Sequence, residues 1–101
     1  MSDTNEVTRE DHTTHGAYSL AVEGAERPAV LTWTAIGEAR IAEHTFTPPE
    51  ARGKGTALKL VEAMVADARE LGFTIEPQCS YVEAQFRRHA DWADVRAEIA
   101  S

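Results

Sequence analysis

A chain of 101 residues, 43% of them hydrophobic, is sized for one domain with one modest core. Its formal charge of −7, from 17 acidic and 10 basic residues, argues against a general nucleic-acid or acidic-membrane binder, which carries a net basic footprint. The single Cys79 allows no intramolecular disulfide, and no signal-like or membrane-length apolar run occurs, so the expected setting is the reducing cytoplasm.

Residues 1–15 are polar and almost free of apolar side chains, which predicts a flexible tail ahead of a domain over 16–101. A short strand is expected at Ala17–Val22, closed by a turn over Gly24–Pro28. Ala29–Ile36 alternates, with Leu31, Trp33 and Ala35 on one face and Val30, Thr32 and Thr34 on the other. Gly37-Glu38 reads as a hairpin turn into a third strand, Ala39–Thr47, which Pro48-Pro49 ends. Over Gly55–Leu71 the apolar residues Ala57, Val61, Met64, Val65, Ala68 and Leu71 recur at helical spacing, and Gly72 supplies the stop. Phe73–Cys79 is a strand whose Pro77 confines it to an edge or a bulge. Ser80 with Glu83 forms a capping-box pattern for a second helix to about His89. One or two helical turns are expected over Asp91–Ala100, anchored by Trp92 and Val95. The fold class is therefore α/β (α+β): an antiparallel meander joined to one right-handed βαβ unit, with a C-terminal helix.

The chemistry is concentrated in Arg52-Gly53-Lys54-Gly55-Thr56-Ala57, at the passage from strand to long helix. Glycines admit positive φ and leave no Cβ between the main chain and a ligand. The unpaired N–H groups of a helix start carry partial positive charge, so the turn suits a pyrophosphate. Two other glycine motifs do not fit. A Walker loop requires glycine where Pro48 stands and Ser or Thr where Gly55 stands; a dinucleotide fingerprint requires glycine at Leu58.

Arg52-x-x-Gly55-x-Ala57 resembles the pyrophosphate loop of the GCN5-related N-acetyltransferases. The flanking landmarks His44-Thr45, Pro48-Pro49-Glu50, Pro77-x-Cys79-Ser80 and Arg88-His89 are similar to the very small, single-cysteine branch of that superfamily, over about Ala17–Val95. The resemblance implies a truncated acetyltransferase fold that binds acetyl-coenzyme A, with an unidentified amine as acceptor. It places the pyrophosphate on Arg52, Gly53, Lys54, Gly55, Thr56 and Ala57. It also brings the thioester near Cys79, and offers Arg88 to the cofactor's 3′-phosphate. Where many relatives have a carboxylate two residues after the histidine, this chain has Phe46; where many have a tyrosine in the second helix, it has Gln85.

Catalysis then rests on Cys79 and His44, with His44 or water as the base, Cys79 as proton donor to the leaving thiolate, and a backbone N–H of Phe73–Cys79 polarising the carbonyl. Each residue also has a plain structural reading: Cys79 as a small buried hydrophobe, His44 as a strand hydrogen-bonding residue, and Arg87-Arg88 as a solvated helix face. His12 and His15 suggest no metal site. A non-catalytic module that holds or senses coenzyme A is the alternative to an enzyme.

Overall fold

The computed structural model describes residues 7–53 and 55–97. Five strands, β1 (Thr8–Asp11), β2 (His15–Leu20), β3 (Ala29–Ile36), β4 (Ala39–Phe46) and β5 (Thr74–Pro77), form one sheet in sequence order. The first three pairings are antiparallel and β4–β5 is parallel, because only that connection contains a helix, α1 (Thr56–Leu71). A second helix, α2 (Ser80–Arg88), and a 3-10 turn over Ala90–Val95 complete the described chain. No helix among the described residues is long and apolar enough to cross a membrane.

The alternation of β3 sorts its side chains as the sequence predicts. Ala29, Leu31 and Trp33 are buried, while the intervening residues are half-buried. They join Tyr18 of β2, Ala42 of β4, Ile75 of β5, the apolar stripe of α1 and Val82 and Phe86 of α2 in one core cluster. Trp92 and Val95 close that core from the 3-10 turn, as expected; residues 98–101 lie outside the described residues. Gly16 is required by packing, since a Cβ there would run into the Trp33 ring and the Glu10 carbonyl.

Three expectations are revised. Thr8–Asp11, read as tail, is the edge strand β1, paired with Gly16–Ser19. All four of its side chains are exposed, so it carries no apolar alternation, and its order comes from backbone pairing and from Arg9, whose Nε lies 2.7 Å from Asp67 on α1. The rest of the expected tail, residues 1–6, lies outside the described residues. The second strand starts two residues earlier than predicted and ends two earlier, because Leu20 pairs with Ala29 at the hairpin mouth. Finally, Cys79 and not Ser80 is the N-cap of α2, and no side chain caps it. Glu83 instead receives Arg87 and Arg96 at 3.0 and 2.8 Å.

Candidate functional site at the divergence of β4 and β5

The parallel pair is short. Ala39–Ala42 lies beside Thr74–Pro77, and there the ladder stops. Two sequence features stop it. Pro77 has no N–H to continue the pairing, and Glu43 is an extra residue in β4, since Trp33 pairs with Ala42 while Thr32 pairs with His44. The N–H groups of Gln78 and Cys79 both donate to the Ala42 carbonyl, at 3.1 and 2.9 Å, which turns the chain into α2. β4 runs on to Phe46 paired with β3 alone, so its outer edge parts from β5. Such a split at the carboxyl ends of parallel strands is where open α/β sheets take ligands.

Cys79 sits at this split, half-buried. Its Sγ lies 3.3 Å from Oγ1 of Thr45, a residue of β4 beyond the last β4–β5 pair. Burial pushes the thiol up. The Thr45 hydroxyl, the amides of Val82 and Tyr81 at the uncapped start of α2, and the Thr45 amide together outweigh burial and hold it below its ordinary value. Those α2 amides act on the sulfur without forming a cap hydrogen bond. Tyr81 beside it is pushed up by burial, with Arg88 pulling down and Glu62 adding to the rise, so its hydroxyl keeps its proton at neutral pH.

The glycine turn lies at the same end of the parallel pair, where β4 hands over to α1. Pro49–Ala51 makes a 3-10 turn, and the Arg52 N–H donates back to Pro49 at 3.3 Å. Gly53 and Gly55 both take positive φ, +81° and +76°, and Gly55 is the N-cap of α1 with no side-chain cap. Among the described residues the first helical bond runs from Lys59 N–H to Gly55 at 3.2 Å, with the N–H groups of Thr56, Ala57 and Leu58 ahead of it. A Cβ on either glycine would meet nothing within 4 Å, so the space beside this backbone is open. Open backbone amides at a helix start fit an anionic diphosphate.

A family model described as GCN5-related N-acetyl-transferase matches residues 17–95, from β2 through the last 3-10 turn. The chain belongs to this family. No curated protein matches it.

In this GCN5-related N-acetyltransferase domain the expected site residues are distributed as follows. Arg52, Gly53, Gly55, Thr56 and Ala57 form the turn, with Arg52 and both glycines exposed; Lys54 lies outside the described residues. Cys79 stands at the split. Arg88 is exposed on the last turn of α2, and its charge reaches Tyr81. His44 is not brought together with Cys79. It is exposed and pairs with Thr32, on the sheet face opposite Leu31, Thr45 and the core. The strand expected over Phe73–Cys79 was to offer a backbone N–H to the carbonyl; those of Gln78 and Cys79 are used by Ala42. Thr45 and Tyr81 were not singled out from the sequence. The His44-Thr45 landmark contains one of them, but its partner Cys79 is 34 residues away, and only the sheet joins them.

Proposed function

We propose that the domain binds acetyl-coenzyme A with its pyrophosphate on the Arg52–Ala57 turn, and transfers the acetyl group to an amine by direct attack. The observation that carries this reading is the coincidence, at one end of the β4–β5 pair, of two features. One is an open positive-φ glycine turn at a helix start. The other is a half-buried thiol at a split in the sheet. Membership of a family that in general uses an acyl-coenzyme A and an acceptor supports it.

Acetyl-coenzyme A supplies the activated acyl group. The amide N–H groups of the turn and Arg52 hold its diphosphate, and the split holds the thioester arm. The amine nitrogen bonds to the acyl carbon, the carbon–sulfur bond breaks, and the departing thiolate takes a proton while the nitrogen gives one up. Cys79 delivers the proton to that thiolate, helped by its lowered proton affinity. His44 faces away from the sulfur, so the nitrogen's proton leaves to water. The Gln78 and Cys79 amides are occupied by the Ala42 carbonyl, so the substrate carbonyl is not polarised by them. Positioning carries much of the catalysis. A site containing one unpaired thiol suits a reducing compartment such as the cytoplasm.

Thermal unfolding with acetyl-coenzyme A tests the binding. At one hundred times its dissociation constant the ligand adds about 2.7 kcal/mol to the folded state. A melting temperature that does not move at saturating ligand rejects the reading. The displacement of His44 favours a second reading, a module that holds coenzyme A without transferring. Stabilisation without acetyl transfer to any amine of a mixed panel selects it.

A further inference from the structure

We infer that Thr45 is a positioning residue for Cys79: its hydroxyl fixes the sulfur at the mouth of the β4–β5 split and donates to it as the thiol proton leaves. The inference rests on the reading of Cys79 as the proton donor of the transfer.

The geometry sets Thr45 apart from the other side chains around the split. Beyond Ala42 and Pro77 the two strands share no pair, and the 3.3 Å contact between Thr45 Oγ1 and Cys79 Sγ is the one side-chain hydrogen bond among the described residues that spans the gap. Thr45 pairs with Leu31 and so points to the core side, while its neighbour His44 points away. The bulge at Glu43 produces this arrangement. Without the extra residue, strand alternation would turn position 45 to the outer face and carry the hydroxyl away from the sulfur.

The other titratable groups on the surrounding elements are otherwise engaged or turned away. Glu43 of β4 accepts from Thr34 at 2.8 Å, and His44 lies on the outer face. Glu76 of β5 pairs with Ile41, whose neighbour Ala42 takes the core side. Glu83 of α2 is held by Arg87 and Arg96. Tyr81 stays neutral, with Glu62 of α1 and Arg88 acting on it. What is left to stabilise a developing negative charge on the sulfur is the start of α2, the Thr45 amide and one hydroxyl. A β-branched residue is stiff at χ1, which makes threonine a rigid holder for that hydroxyl.

In step terms, the S–H bond of Cys79 breaks and its proton goes to the departing thiolate. The Thr45 O–H donates to the Cys79 sulfur throughout, and a proton from water restores the thiol.

The test is the pH dependence of Cys79 alkylation by iodoacetamide, followed by intact mass on the full chain. With a single cysteine in the sequence the adduct needs no mapping. Thr45→Val is expected to move the profile to higher pH and to slow alkylation at neutral pH roughly threefold to tenfold, the worth of one hydrogen bond. Thr45→Ser keeps the parental profile. Thr45→Ala replaces the valine variant should circular dichroism show that one unfolded. A profile for the valine or alanine variant that overlays the parent overturns the proposal, as does an equal shift in Thr45→Ser. Coenzyme A titration of the parent protein reports separately on the functional reading. Absence of binding removes that reading, while the alkylation profiles still decide what Thr45 does to the sulfur.

Discussion

The two ends of the β4–β5 pair are built from the same two strands and do opposite things. At the closed end, Arg40 lies between the rings of Trp33 and Phe73, at 4.1 and 4.0 Å, with Asp11 at 3.6 Å. Thr74 N–H donates to Glu38, and Ile75, fully buried, also accepts from Ala97 on its outer side. Tyr18, Asp67, Arg9 and Arg40 gather there around a cavity of about 130 Å³. At the open end the ladder is broken, the thiol is only half-buried, and both helix starts lack side-chain caps. Stability is concentrated where pairing and aromatic packing are complete, and the chemistry proposed above is placed where the ladder is broken. The boundary between the two is a single position, set by Pro77 on one strand and the extra Glu43 on the other.

The strongest test of this division is Trp33→Ala. Trp33 is 2% exposed and carries Arg40 on its face. Its removal is expected to cost about 3–5 kcal/mol, a large share of the roughly 5–15 kcal/mol that holds a domain together. Urea unfolding measures it. The folded fraction should still bind acetyl-coenzyme A as the parent does, and lost affinity per folded molecule would break the division.

Gly55→Val is the reverse case. The positive φ of Gly55 costs a side chain about 1–2 kcal/mol of stability, whereas a branched side chain beside the helix-start amides should lower acetyl-coenzyme A affinity by more than about a hundredfold, because a bulky group there blocks backbone approach to the anion. Arg52→Ala, which removes one charge-assisted contact, should weaken binding by about 1–3 kcal/mol. Calorimetry on both variants ranks them. Parental affinity in Gly55→Val would put the phosphates elsewhere.

The smallest effect sharpens the closed end. Tyr18 donates to Asp67 at 2.9 Å, and burial first, then that bond and the Asp67 charge, push its phenol well above its ordinary value of 10.0. The folded protein therefore keeps a proton that the unfolded chain loses as pH rises past 10, so this contribution is complete below that pH and is lost above it. Tyr18→Phe should lower stability near neutrality by about 1 kcal/mol and flatten the decline above pH 10. Denaturant midpoints against pH compare the two proteins. An alkaline limb unchanged in Tyr18→Phe would assign the decline to other groups.

Much of this molecule is legible in one dimension. The alternation of Ala29–Ile36 and the helical spacing of Ala57, Val61, Met64, Val65 and Ala68 sort apolar from polar locally, and Gly72 and Pro48-Pro49 punctuate them through their own backbone limits. The Arg52–Ala57 turn is legible for the same reason: positive φ and open amides are properties of a contiguous segment. Only the tertiary structure could order Thr8–Asp11, whose exposed side chains carry no pattern and whose partners are the β2 backbone and Asp67. It also turned His44 outward and Thr45 inward, because one extra residue in β4 resets the alternation, and a bulge depends on what the neighbouring strand pairs with. The Thr45–Cys79 contact belongs to the same class. It joins residues far apart in the chain across a gap that exists only once β4 and β5 have paired and parted, and no local propensity encodes that meeting.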